Sequence, residues 1–180
     1  MLILRSLIVL IFTPTLAFAG WINKQGEVLP DVEYRKAVGD FGAQLILVGD
    51  EQELFKRWAI PSKTVDINTI DTVKVNGFTN AFVIFSGCKP NKKGNCNVSM
   101  RFRVTQPDGK VYADTPPMEV WLNKPVPKGK SLELSVEYLK VRIDPKDQLG
   151  RYIIYTQVRD NNTGTVLQLQ APFTAHKEGK

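Results

Sequence analysis

The stretch Val98-Ser-Met-Arg-Phe-Arg-Val104 decides the fold class of this chain. Its apolar residues fall at every second position and are separated by a serine and two arginines. Because successive side chains of a β-strand point to opposite faces, this period of two places the apolar set on one face and the arginines in solvent. The stretch therefore predicts a half-buried strand of a β-sheet.

Runs of the same kind follow one another along the chain. Apolar or alternating residues occupy 43–48, 72–75, 81–85, 118–122, 152–159 and 165–174, with turn residues such as Pro107-Asp-Gly109 between them. The side-chain phase flips near Glu137-Tyr138, which predicts a bulge or small turn there, since a straight strand would turn one apolar set into water. Many short strands separated by turn signals predict an all-β protein.

The most specific pattern is Asp147-Gln-Leu149-Gly150-Arg-Tyr152. It resembles the structural corner at which an immunoglobulin-like sandwich crosses from one sheet to the other, where a tyrosine hydroxyl bonds to the upstream backbone. The antibody-type Cys-Trp-Cys set is missing. Four features can be compared with known proteins: Phe85-Ser-Gly-Cys88 to Cys96, Pro107-Asp-Gly109, Glu119-Val-Trp121 and Asp147-x-Leu-Gly-x-Tyr152. Taken together, they resemble the small exported or periplasmic proteins of Gram-negative bacteria that have an immunoglobulin-like β-sandwich. Most of those proteins have no assigned function. This resemblance covers a little over half of the chain, implies an immunoglobulin-like sandwich and supplies no active site.

One short helix is expected after Val48. Asp50 followed by Glu53 fits a capping box, and Leu54, Phe55 and Trp58 would form one apolar side before Pro61 ends the helix. We expect this helix to cover an open end of the sandwich. The chain then divides into a signal peptide (1–19), N-terminal strands and the helix packed on the sandwich (20–78), the immunoglobulin-like core (79–175) and a polar tail (176–180).

The first nineteen residues predict a cleaved secretory signal. The run Leu2 to Ile11 is apolar apart from Arg5 and Ser6, and Ala17-Phe-Ala19 fits a cleavage site. The alternative, a membrane anchor, would need about twenty apolar residues, and no later segment is long or apolar enough to span a bilayer. We therefore expect a periplasmic or secreted protein.

The number and spacing of the cysteines also indicate export. Cys88 and Cys96 are the only two, and an oxidising compartment would join a pair this close. A zinc site would need two more ligands, and the sole histidine, His176, has none beside it. We expect a disulfide at the base of a hairpin whose tip carries Lys89, Lys92 and Lys93.

Residues typical of catalysis are missing from the expected places. A serine or cysteine nucleophile normally needs a base, and His176 stands alone near the C-terminus. Asp144 with Asp147, and Glu51 with Glu53, are typical of turns and helix caps rather than of paired catalytic acids or calcium sites. We expect no enzyme activity, no catalytic residue, no cofactor and no metal.

A formal net charge of +6 favours weak attraction to anionic surfaces. It does not predict nucleic-acid binding, because no basic helix or aromatic-interleaved basic run is present. The leading hypothesis is an accessory or assembly factor that acts by protein–protein contact in the bacterial envelope, where a partner strand adds to a sandwich edge. The alternative is a binding module for an anionic polysaccharide or other envelope polymer. Lys89, Lys92 and Lys93 are the candidate contacts to an anionic partner.

The mature protein is expected to begin at Gly20 and to be lighter than its reduced form by the two hydrogens of one disulfide. Intact-mass spectrometry before and after reduction measures both properties. Retention of residues 1–19 would contradict the predicted export, and free thiols would contradict the oxidising compartment.

Overall fold

A computed structural model describes residues 20–22, 25–60, 66–128 and 131–177 of the chain. The signal predicted for residues 1–19 lies outside these described residues. In chain order the elements are β1 (Trp21–Ile22), β2 (Val28–Leu29), β3 (Arg35–Val38), β4 (Phe41–Val48), α1 (Glu51–Trp58), β5 (Thr72–Lys74), β6 (Phe78–Ser86), β7 (Asn95–Thr105), β8 (Val111–Asp114), β9 (Met118–Pro125), β10 (Glu133–Leu134), β11 (Leu139–Arg142), β12 (Gly150–Asp160) and β13 (Val166–His176). They form an all-β, immunoglobulin-like sandwich with one short helix, as the strand pattern predicted.

One layer of the sandwich is a five-stranded antiparallel sheet. Strand β4 lies between β3 and β6, and β10 and β11 pair with successive parts of the other edge of β6. The chain leaves the sheet between β10 and β11, which confirms the interruption expected near Glu137-Tyr138. The two pieces are buried on opposite faces of the sheet: Val141 lies in the core between the two sheets, and Leu134 lies in a second apolar cluster on the outer face.

The other layer is a six-stranded sheet in the order β5, β13, β12, β7, β8, with β9 paired to the remaining length of the same β7 edge. Only the β5–β13 pairing is parallel among these described strands. In β7 the side chains of Val98, Met100, Phe102 and Val104 are buried, and those of Arg101 and Arg103 are exposed. The alternation read from the sequence is confirmed.

The facing sides of the two sheets share one apolar core. Its largest fully buried side chains include Phe85 from the five-stranded sheet and Phe102, Tyr152 and Phe173 from the six-stranded sheet. The Tyr152 and Phe173 rings stack with centroids 5.1 Å apart. Burial of an aromatic side chain of this size contributes roughly 1.5–3 kcal/mol, so this layer holds the sheets together.

Helix α1 covers the outer face of the five-stranded sheet. Leu54 is buried in a second apolar cluster with residues of β4 and β6, and the Phe55 ring meets the Phe82 ring edge-on at 5.5 Å. The expectation that the helix would close an open end of the sandwich was wrong. The reason lies in β4 and β6, which are buried on both faces and therefore need a cover on the outer one.

The predicted N-cap of the helix is confirmed. The Asp50 carboxylate accepts hydrogen bonds from the backbone N–H groups of Gln52 and Glu53 at 2.9 and 3.0 Å. The Glu53 side chain bonds to Arg57 at 2.6 Å, one turn further on. At the same end of the helix, a backbone hydrogen bond and then the Lys140 ammonium hold the pKa of Glu51 below its ordinary value.

The cysteine-containing connection is a crossover between the sheets, and the expected hairpin was wrong. Strand β6 belongs to the five-stranded sheet and β7 to the six-stranded sheet, and the two do not pair. A disulfide joins Cys88 to Cys96 within this connection, and both residues are buried. Two β-runs that are adjacent in sequence predict a hairpin, whereas β6 and β7 lie in opposite layers of the sandwich.

The boundary at residue 78, between the N-terminal segment (20–78) and the immunoglobulin-like core (79–175), stays a prediction. Strands from both sides of it share one sheet, since β4 lies between β3 and β6. At the other boundary, β13 continues through His176, whose carbonyl oxygen accepts a hydrogen bond from the Val75 N–H at 2.9 Å. Of the predicted tail, residues 178–180 lie outside the described part.

Replacement of Gly87 by alanine is expected to lower the free energy of unfolding by about 3 kcal/mol or more. Gly87 has a φ of 68°, and a Cβ there would overlap the carbonyl oxygen of Asp40. The left-handed backbone alone costs roughly 1–2 kcal/mol in a residue with a side chain, and crowding a packed site adds roughly 1–3 kcal/mol. Urea unfolding with the disulfide intact measures the change.

Gly109→Ala is the matched control. Gly109 has a φ of 83° but no atom within 4 Å of its Cβ position, so only the backbone cost of roughly 1–2 kcal/mol applies. Equal losses in the two variants would contradict the close approach of the two chain segments at Gly87.

Candidate binding face

The outer face of the six-stranded sheet carries a regular array of polar side chains. Along β7, β12 and β13, the alternate positions that point away from the core hold Arg101, Arg103, Tyr155, Gln157, Gln168 and Gln170; this set is called the sheet face. Tyr155 is opposite Arg103 on one side and Gln170 on the other. Gln157 is likewise opposite Arg101 and Gln168. Side chains directly opposite on antiparallel strands lie close together, so the six form one continuous surface.

An open groove of about 630 Å³ runs over this surface. Asp114, at the end of β8, lies at one side of the groove, and Glu33 and Lys36 lie at the other. The Glu33 carbonyl oxygen accepts a hydrogen bond from the Gln170 N–H at 2.8 Å, so the chain before β3 extends the surface past β13. The volume is in the range of small-ligand sites, about 300–1,000 Å³.

One carboxylate holds two guanidinium groups at the edge of the groove. Asp114 Oδ1 lies 2.9 Å from Arg101 Nη2, and Asp114 Oδ2 lies 2.8 Å from Arg103 Nη2. The hydrogen bond from Arg103 and that from Arg101 hold the pKa of Asp114 below its ordinary value. The carboxylate therefore stays ionised, and the trio keeps one uncompensated positive charge.

Asp114 orients the two arginines but does not occupy all of their N–H donors. Their side chains remain 49% and 53% exposed. Each guanidinium has five N–H donors in a fixed fork that suits a carboxylate. The amides of the neighbouring glutamines both donate and accept, so the face can bind hydroxyl and carboxylate groups together.

A second charged surface lies on the disulfide-closed connection, residues 88–96, called the stapled loop. Lys92 and Lys93 line an open depression of about 500 Å³ together with Asn91, Asn95 and Asn123. Lys89 does not line it. The structure thus groups two of the three lysines singled out in the sequence, and their contact with an anionic partner stays a prediction.

A buried aspartate fixes the stapled loop to the turn between β12 and β13. Asp160 is 1% exposed, and its carboxylate accepts hydrogen bonds from the backbone N–H groups of Lys89 and Asn162, each at 2.9 Å. The Asn162 amide donates to the carbonyl oxygens of Lys89 and Asn95 at 2.7 and 3.0 Å. With the disulfide, these bonds make the loop a rigid extension of the sheet.

The corner residues lie where the chain crosses from β11 to β12, and so from one sheet to the other. The Tyr152 hydroxyl donates to the carbonyl oxygen of Gln148 at 2.9 Å. The Asp147 carboxylate accepts from the Asp144 N–H and the Tyr112 hydroxyl, both at 2.8 Å. Burial raises the pKa of both tyrosine hydroxyls, so they remain protonated donors. The other two corner residues are Gly150, with a φ of 123°, and the exposed Leu149.

The described residues contain neither a metal-binding cluster nor a membrane-spanning helix. Across 20–22, 25–60, 66–128 and 131–177, histidine, cysteine, aspartate and glutamate side chains do not gather in a set of three or more that could hold a metal ion. Over the same part of the chain, no helix has the length and apolar character needed to cross a bilayer.

Comparison with known proteins finds only distant structural similarity. No family model matches the chain, and no curated protein matches it. Among solved structures, the CARDB domain of a Pyrococcus furiosus protein, in complex with di-metal ions, is 15% identical (TM-score 0.38; 86% of this chain and 97% of that chain). The C-terminal domain of Wzt is 12% identical (TM-score 0.42; 82% and 80%).

A family 123 glycoside hydrolase from Clostridium perfringens is also similar, at 10% identity and a TM-score of 0.45 over 77% of this chain. This chain spans only 27% of the hydrolase chain.

Sequence reasoning missed the sheet face. Its signal was present as polar residues at alternate positions of three separate runs, 99–103, 155–157 and 168–170. Only the register of β12 against β7 and β13 shows that these positions are neighbours.

Asp160→Asn is expected to loosen the stapled loop and to lower the free energy of unfolding by about 1–3 kcal/mol, because an amide NH₂ replaces one of two acceptors for buried donors. Hydrogen exchange by mass spectrometry should show faster exchange across residues 88–96. Asp66→Asn, at an exposed position, is the control and should leave exchange unchanged. Unchanged loop exchange in the Asp160 variant would contradict this anchoring role.

Proposed function

We propose that this protein is a non-enzymatic binding domain exported to the bacterial envelope, and that its sheet face binds an anionic polysaccharide. The observation that carries the proposal is the Arg101–Asp114–Arg103 trio beside Tyr155 in an open groove. It supplies excess positive charge at a fixed place on a rigid sheet.

The side chains of the groove fit a charged sugar better than a neutral or purely apolar ligand. A guanidinium fork can hold a carboxylate through two parallel charge-assisted hydrogen bonds. Gln157, Gln168 and Gln170 can exchange hydrogen bonds with hydroxyl groups. The half-buried Tyr155 ring adds an apolar surface with a polar tip.

The sheet face is a better candidate binding surface than the edges of the five-stranded sheet. On β3, the Lys36 carbonyl oxygen accepts a bond from the Trp21 indole N–H at 3.1 Å, and the Ala37 N–H donates to Asp31 Oδ1 at 3.1 Å. On β11, the Arg142 carbonyl oxygen lies 2.9 Å from the Tyr112 hydroxyl and shares that hydroxyl's single proton with the Asp147 carboxylate. Backbone groups that are already bonded cannot pair with an added strand.

The β9 edge of the six-stranded sheet is protected in another way. Its pairing with β7 shifts register twice, it ends at Pro125, and the Glu119 N–H donates to the Glu137 carboxylate. Bulges and proline are devices that keep an edge from pairing. Strand addition at the β3, β9 or β11 edge, the form of partner contact favoured by the sequence, therefore has less support than binding to the sheet face.

Protein–protein contact is the second candidate function. It is favoured by Ile22 and Val28, which are opposite each other on the β1–β2 pair and are 60% and 50% exposed. A partner in the envelope would bind this apolar pair in an assembly or accessory role, leaving the sheet face free.

Arg103→Gln is expected to weaken binding of polygalacturonate by about 10–100-fold, since a hydrogen bond to a charged group is worth roughly 1.5–3 kcal/mol. Arg151→Gln is the matched control: it removes the same charge from an exposed outer position of β12 that does not line the groove. Titration calorimetry at about 50 mM and 500 mM salt should show steep weakening at the higher concentration, because screening shortens the range of the attraction. Neutral dextran should not bind.

Equal losses in the two arginine variants, or equal affinity for dextran, would contradict the proposal. Failure of all these glycans to bind, together with capture of an envelope protein that depends on Ile22 and Val28, would instead favour the second candidate.

A further inference from the structure

The sheet face continues along β7 into the stapled loop. Outer positions of this strand run from Arg103 and Arg101 through Ser99 and Asn97 to Asn95, which lines the depression beside Lys92 and Lys93. The side chains of Asn95, Asn97 and Ser99 are partly exposed. A polar track therefore joins the groove on the sheet to the depression on the loop.

The middle of this track is already ordered. The Asn161 amide N–H₂ donates to Asn97 Oδ1 and to Ser99 Oγ, both at 3.0 Å. Asn161 belongs to the β12–β13 turn, the same turn that Asp160 ties to the stapled loop. Binding along the track would not have to order these side chains, which lowers the entropic cost of association.

Positive charge lies at both ends of the track and beside its middle. Arg101 and Arg103 stand at one end, and Lys92 and Lys93 at the other. The exposed Arg159 is opposite Ser99 on β12. Beside the middle of the track lies an acidic residue, Glu119, opposite Ser99 on β9, so the middle suits sugar hydroxyls better than a carboxylate.

We infer that the groove and the depression are two ends of one site for an extended anionic polysaccharide chain that runs along β7. This inference rests on the proposed function and names the form of its ligand. The eight residue steps from Arg103 to Asn95 span about 27 Å at a rise of roughly 3.3–3.4 Å per residue. A ligand must reach that far to contact both ends.

The experiment compares galacturonate oligomers of two lengths by titration calorimetry. A trisaccharide is too short to reach both ends, and a decasaccharide is long enough. The wild-type protein should bind the decasaccharide at least about tenfold more tightly, because the second contact becomes intramolecular once the first has formed.

Lys92→Gln with Lys93→Gln should remove most of the advantage of the decasaccharide and leave the affinity for the trisaccharide unchanged. Arg103→Gln should weaken binding of both oligomers. Lys56→Gln with Lys146→Gln, two exposed lysines on α1 and near the corner, makes the same change of charge away from the track and should have no effect.

The possible results separate failure of the extended site from failure of the proposed function. If the trisaccharide binds through Arg103 and the decasaccharide binds no more tightly, the extended site is wrong and the proposed function stands. If the longer oligomer binds more tightly but the loop lysines do not matter, the gain comes from repeated sugar units, and the extended site is again wrong. If neither oligomer binds, the proposed function fails and this inference fails with it.

Discussion

The apolar layer between the two sheets is the constraint on which the rest of the structure depends. Phe102 and Tyr152 from one sheet and Phe85 from the other are completely buried in it. Because side chains alternate along a strand, fixing one set inward fixes the other set outward. The same burial that stabilises the sandwich thus places Arg101, Arg103 and Tyr155 together on the opposite side of the sheet.

The outer faces of the two sheets differ in what covers them. The five-stranded sheet covers its outer face with helix α1 and the Trp21 indole, so β4 and β6 are buried on both sides. The six-stranded sheet leaves its outer face open, and along β7, β12 and β13 buried residues alternate with more exposed ones. The disulfide and the buried Asp160 then hold the stapled loop at the end of that open face.

Features encoded by local patterns could be predicted from the sequence. The alternation from Val98 to Val104, the Asp50 cap and the Cys88–Cys96 pair each depend on neighbours within a few residues, and each is present in the structure. Features set by distant pairing could not be predicted. The covering role of α1, the crossover between β6 and β7, and the clustering of Arg103, Tyr155 and Gln170 all depend on which strands become neighbours.

Backbone amide chemical shifts in solution test the central claim most directly, because they locate the bound ligand residue by residue. On titration with short galacturonate oligomers, the account predicts that the largest changes fall on residues 101–103, 155–157 and 168–170. Changes confined to the β9 and β11 edges or to the β1–β2 pair would contradict it.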